Sequence, residues 1–257
     1  MAYLLPIGFT LLVWWFSTGA IMLLNGLPRR THVWSFAGST ILLGAGLIGL
    51  WASGGDTSVA GAYCAFSCGL LVWAWHEVSL LLGFVTGPRV VASPPGCSAW
   101  RHLVCAVQAI LYHEIALVVM LAVVLALTWH APNQVGAWTF LVLWSMRLSA
   151  KLNLFLGVRN VGEGFLPDHL QYLQTYFRRR RMNLLFPLSI SVASALAAVL
   201  WRDAFAVTIS PFERTGLVLT ATLLSLAVLE HWFMVLPLNS AALWNWGLKS
   251  RAWLRGI

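Results

Sequence analysis

Seven stretches of this 257-residue chain stay apolar for the length a helix needs to cross a bilayer, and little chain is left over. They lie near residues 4–24, 33–51, 59–85, 103–128, 135–158, 184–200 and 216–236. A helix rises about 1.5 Å per residue, so roughly 17–25 apolar residues cover a hydrocarbon layer about 30 Å thick. The pattern predicts an all-α fold: a polytopic helical bundle of about seven transmembrane helices, forming one domain over residues 1–257. The fifth stretch is the least apolar, because it holds Arg147, Lys151 and Asn153.

Composition points the same way. The chain is 60% hydrophobic and 9% charged, against roughly 25% charged residues in soluble domains. Its fifteen Trp suit a chain with two membrane interfaces. The opening MAYLLPIGFTLLVWWFSTGAIMLL lacks a basic leader and a small-residue cleavage site, and reads as a retained first helix. Four cysteines give no disulfide framework: Cys64 and Cys68 fall inside an apolar stretch, and Cys97 and Cys105 in or beside a loop.

A net charge of +8 raises nucleic acid as a partner, but the basic residues sit in short loops between apolar stretches, so no nucleic acid is expected. Fourteen of the 16 fall after the odd-numbered spans or within the fifth; only Arg202 and Arg214 fall on the other side. Basic loops stay in the cytoplasm, which predicts a periplasmic N-terminus, a cytoplasmic C-terminus and a multi-pass protein of the bacterial inner membrane.

The longest connection, about 159–183, reads GEGFLPDHLQYLQTYFRRRRMN after Arg159 and Asn160. Its aromatics and leucines predict an amphipathic helix on the cytoplasmic leaflet. Arg178, Arg179, Arg180 and Arg181 fit either anionic headgroups or an acidic partner, and equally a plain topogenic signal. The tail LWNWGLKSRAWLRGI has the same aromatic and basic character and is expected at the interface.

The chain has eight acidic residues, and three of them fall inside spans, each beside a histidine: His76–Glu77, His113–Glu114 and Glu230–His231. An ionisable group in a span costs about 2.5–3.5 kcal/mol on insertion scales, so three such pairs need a reason. Counted from the expected span ends, all three lie in the cytoplasmic half, which predicts one buried cluster. One reading is a single-metal or di-metal centre, with iron or zinc held by His and Glu from facing helices. A second is axial ligation of a magnesium or iron tetrapyrrole by histidine. A third is a set of interhelical hydrogen bonds that fix packing. The absence of H-E-x-x-H disfavours a zincin protease.

Arg147 and Lys151 share one helical face at spacing i, i+4. With Asn153 they are candidate charge partners for the carboxylates, or they reach out to headgroups.

At these residues the chain resembles a known family. The stretches LVWWFSTG, NGLPRR, LWAS, VAGAYCAF, LVWAWHE, GFVTGPR, LYHEIAL, APNQVGAWTFLVLWSMRLSAKLNLFLGVRN, FRRRRMNLLFP and LEHWFMVLPL resemble the photosynthetic complex assembly protein 2 family, the PuhE proteins. The resemblance spans essentially the whole chain. It implies a cytoplasmic-membrane protein of anoxygenic phototrophs that helps build the reaction-centre–light-harvesting complex. Its partners would be membrane lipids, with reaction-centre or light-harvesting subunits or pigment-synthesis enzymes. Bacteriochlorophyll is then the tetrapyrrole in question. No catalytic residue follows from the resemblance. The alternative expectation is a membrane metalloenzyme, or an accessory subunit, in bacteriochlorophyll synthesis. A small transporter is disfavoured, since neither an inverted repeat nor paired broken helices is evident.

Overall fold

In a computed structural model, residues 1–249 are described, and seven long helices carry most of them. These are α1 (Leu4–Asn25), α2 (His32–Ser53), α3 (Val59–Leu81), α4 (Ala99–Thr128), α5 (Val135–Leu156), α6 (Leu185–Ala204) and α7 (Pro211–Phe233). Residues 250–257 of the expected interfacial tail, Arg251 and Arg255 among them, lie outside the described residues. Six of the seven are long and apolar enough to cross a membrane; the exception is α5. The fold is a polytopic membrane bundle, and α5 joins it through its neighbours, packing against α3, α4, α6 and α7.

Burial sorts the helices into two classes. The most apolar windows of α3 and α7 are 50% and 61% buried, against 11–17% for α1, α2, α4 and α6. Thus α3 and α7 form the centre, and α2 and α6 line the outside against them. Outward residues such as Trp34, Ile41, Ile48, Leu188 and Val192 are large, apolar and exposed, as a lipid-facing surface requires. The α3–α5 seam is close because small residues meet there. A Cβ on Gly69 would lie 2.8 Å from the Gly136 carbonyl oxygen, and one on Gly136 would lie 2.8 Å from that of Ala65.

Several helix ends depart from the apolar pattern, each for a local reason. α3 stops at Leu81 rather than 85, because Gly83 turns the chain at φ +84° and sends it back along α4. There the Thr86 carbonyl accepts from the His113 N–H at 3.0 Å. α4 starts four residues early at Ala99, where the Ser98 hydroxyl accepts from the Arg101 N–H. α7 starts at Pro211 rather than 216. Ser210 and Glu213 form a capping box there: the Glu213 N–H donates to Ser210 Oγ at 3.2 Å, and the Ser210 N–H to Glu213 Oε2 at 2.8 Å. The cap outweighs the local charge of Glu213 and Arg214.

The connection at 159–183 is not an α-helix. It forms two 3-10 stretches, Glu163–Phe165 and Asp168–Tyr176, followed by extended chain through the arginines. Gly162 at φ +67° and Pro167 punctuate it too often for α-helical hydrogen bonding to propagate. Leu170, Leu173 and Tyr176 are buried against Cys105 and Ala109 of α4. Tyr176 donates its hydroxyl to the Val91 carbonyl at 2.8 Å and accepts from Arg89 Nε at 2.9 Å. The segment is therefore a cap folded over the helix ends. Within it, desolvation and then the charge of Arg29 hold the His169 imidazole below its ordinary range.

Candidate functional site

Neighbouring residues on a helix point about 100° apart, so each His–Glu pair sends its two groups in different directions. From α3, Glu77 turns toward α5, where Arg147 meets it as a fork: Nη2 to Oε2 at 2.9 Å and Nε to Oε1 at 3.2 Å. One turn on, Lys151 Nζ reaches Glu114 Oε1 of α4 at 2.6 Å. The i, i+4 spacing on α5 thus serves two carboxylates from two helices. Of these four side chains, Arg147 is the most open, at 39% exposure, while Glu77 is at 12%.

Glu230 of α7 takes its bond from an unexpected donor, Trp14 Nε1 of α1, at 2.7 Å. His231 is saturated. Its Nδ1 lies 2.9 Å from the Ala227 carbonyl, which can only accept, so Nδ1 carries the proton. Nε2 is then the acceptor for the Ser149 hydroxyl at 2.9 Å. Asn153 stands apart from the charges. It donates to the Ser149 carbonyl at 2.9 Å and to Ser189 Oγ at 3.2 Å, and its own oxygen accepts from Asn183 at 3.0 Å. It fastens α5 to the start of α6.

His76 and His113 lie beside each other instead, ring edge toward ring. Both are fully buried, their ring centroids are 6.3 Å apart at 74°, and none of their four ring nitrogens has a partner. Each buried polar atom left so costs about 1–3 kcal/mol. The rings of Trp75 and Phe140 pack against His76 at 5.0 and 6.0 Å.

Five of the six His and Glu side chains therefore form two adjoining arrangements, and His231 stands apart on Ala227 and Ser149. One is a charged strip of Glu77, Arg147, Lys151, Glu114 and Glu230; the other is the imidazole pair. Among the described residues, no three His, Cys, Asp or Glu side chains group so as to hold a metal. Two of the carboxylates offered as ligands are already held by cations. Sequence reasoning missed Trp14 and Ser149, which no spacing rule marks. It also missed Thr86, whose contact depends on the chain doubling back.

The strip forms part of the wall of a cavity of about 450 Å³ between α1, α3, α5 and α7, closed at one end by the 3-10 cap. Glu77, Arg147, Lys151, Glu230, His231 and Trp14 give it a polar flank. The remaining wall is mostly aliphatic and aromatic, including Phe66, Trp73, Phe155 and Leu223. Such a cavity suits a molecule with an apolar body and a few polar groups. His76 and His113 do not line it. Of the four arginines, Arg178 lies over the Phe155 ring at 5.6 Å and Arg179 pairs with Glu163, while Arg180 and Arg181 are exposed beside Met182 and Leu184.

Residues 1–254 match a family described as a protein of unknown function, DUF3623. A protein of Rhodobacter capsulatus, described as an uncharacterized 30.4 kDa protein in the puhA 5′ region, is 43% identical over 247 residues. The match covers 94% of this chain and 89% of that protein. No solved structure matches the chain. With nearly its whole length matched, the chain belongs to the DUF3623 family.

Proposed function

We propose that this protein is an assembly factor for the bacterial photosynthetic reaction-centre–light-harvesting complex, and that it works by holding an apolar part of a pigment in the cavity between α1, α3, α5 and α7. The observation that carries the reading is the cavity: an apolar hollow inside the bundle with one polar flank, on which Arg147 and Lys151 are already paired with Glu77 and Glu114. A pocket of that kind orients a large apolar molecule without reacting with it. At about 450 Å³ it receives a ring edge or a prenyl tail rather than a whole pigment. Support of a different kind comes from the relative described as lying in the puhA 5′ region. In this reading the protein sits in the cytoplasmic membrane with its N-terminus periplasmic, its C-terminus cytoplasmic and the 159–183 cap at the cytoplasmic face. Glu77, Glu230 and His231 touch the held molecule, Arg180 and Arg181 meet anionic headgroups, and the handover partners are reaction-centre or light-harvesting subunits or pigment-synthesis enzymes.

The test is to fill the cavity. Ala150 lies between Arg147 and Lys151 on its wall. In a phototroph carrying Ala150→Trp, total pigment should persist while assembled core complexes fall several-fold, and pigment co-purified with the variant should fall about tenfold. Normal complex levels with a stably accumulated variant would overturn the reading. Accumulation of a biosynthetic intermediate would favour a role in pigment synthesis instead.

A further inference from the structure

We infer that His76 and His113 form a two-coordinate site for a monovalent copper ion, separate from the cavity and independent of what the cavity holds. The starting point is the four unpartnered nitrogens. A neutral imidazole has one donor and one acceptor to satisfy, and both rings are fully buried with neither satisfied. Buried polar groups are nearly always partnered, so four such atoms in one place call for an explanation, and a bound ion is one. The two rings do not satisfy each other. A direct N–H···N bond of about 2.9–3.0 Å would draw the centroids closer than 6.3 Å. One interposed atom bonded to a nitrogen of each ring suits this spacing, provided the two bonds to it are close to collinear.

Three features choose the ion. The site offers two nitrogens and no further ligand, since Glu77 and Glu114 turn to Arg147 and Lys151 and no third His, Cys, Asp or Glu joins the group among the described residues. Zinc requires four ligands and magnesium about six; copper in its monovalent state is satisfied by two imidazoles in a line. Charge gives the second argument. The neighbouring carboxylates, Glu77 and Glu114, are each paired with a cation, Arg147 and Lys151, so an ion here adds charge to an apolar bundle, and a single positive charge costs less to bury than a double one. The walls are the third: Trp75 and Phe140 exclude the water that would compete for a harder ion.

The full chain, purified in detergent under anaerobic reducing conditions, would be titrated with monovalent copper against a chromophoric copper chelator. Cys64, Cys68, Cys97 and Cys105 are free thiols that also take this ion. The measured quantity is therefore the difference between the chain and its His76→Leu/His113→Leu variant, with the four cysteines present and again with all four changed to serine. The expected result is one equivalent of copper lost with the two histidines in either background, and at least a hundredfold weaker binding in each single variant. In the cysteine-free background, X-ray absorption should show a nitrogen-only shell of two scatterers. Equal copper with and without the histidines in the native-cysteine chain overturns the assignment, whether or not the cysteine-free chain folds. So does zinc bound as tightly as copper, which would mean that the rings recruit further ligands.

Discussion

Glu77 and Glu114 each have a cation within bonding distance, while the ring nitrogens of His76 and His113, one residue earlier on the same two helices, have no partner. Both sets lie in the same apolar bundle, so the difference is one of rotation and charge. A carboxylate left alone in low dielectric costs far more than a neutral imidazole left alone, and the α3–α4–α5 arrangement satisfies the expensive groups first. The position of Arg147 and Lys151 on α5 is thereby explained. α5 is the one long helix too polar to count as a span by composition, and it is tolerated because its charges meet carboxylates from both sides.

The comparison breaks most sharply at Lys151, whose pair with Glu114 leaves the cation only 16% exposed. Lys151→Met strands a buried carboxylate and should destabilise the bundle by about 3 kcal/mol, read as a shift in equilibrium unfolding in mixed micelles containing dodecyl sulfate. Lys151→Met/Glu114→Gln should recover most of that loss, because the charge that needed a partner is gone. A double variant as unstable as the single would mean that Lys151 acts through packing instead.

How much of this was legible beforehand depends on which force decided each feature. The spans were readable because hydropathy is summed over many residues, and the polar fifth span was visible in Arg147, Lys151 and Asn153. The three His–Glu pairs stood out because charge is rare in such a chain. Their division into a strip and a pair was not readable: it follows from whether α3 is turned toward α4 or α5, and the Gly69–Gly136 contact helps to set that turn. Trp14 as the donor to Glu230 requires knowing that α1 packs on α7, which no local pattern encodes. The 3-10 cap was hidden for another reason. Its apolar spacing is near-helical, but Gly162, Gly164 and Pro167 interrupt the backbone, and tertiary contacts with α4 decide the outcome.

A smaller effect is expected where an imidazole does have a partner. Ser149→Ala removes the hydroxyl that donates to His231 Nε2 and leaves one buried acceptor unsatisfied. The cost should be about 1 kcal/mol, measured in the same micelle assay. If Ser149→Ala proves as harmful as Lys151→Met, neutral and charged groups are equally constrained in this core, and the contrast drawn above is wrong.

The smallest change belongs to the histidine pair, and its sign is the informative part. In metal-free protein, His76→Leu/His113→Leu replaces four unpaired polar atoms with apolar groups of similar size. Such exchanges are nearly neutral or stabilising, so stability should stay within about 1 kcal/mol of the parent and move upward if it moves. Added monovalent copper should then separate the two proteins. A ligand at a hundred times its Kd stabilises by about 2.7 kcal/mol, and in the cysteine-free background only the chain that retains both histidines has the site that would gain it. A double variant that loses about 2 kcal/mol or more without metal would show that the rings already hold a partner in the resting protein, in which case they belong with the satisfied strip rather than in contrast to it.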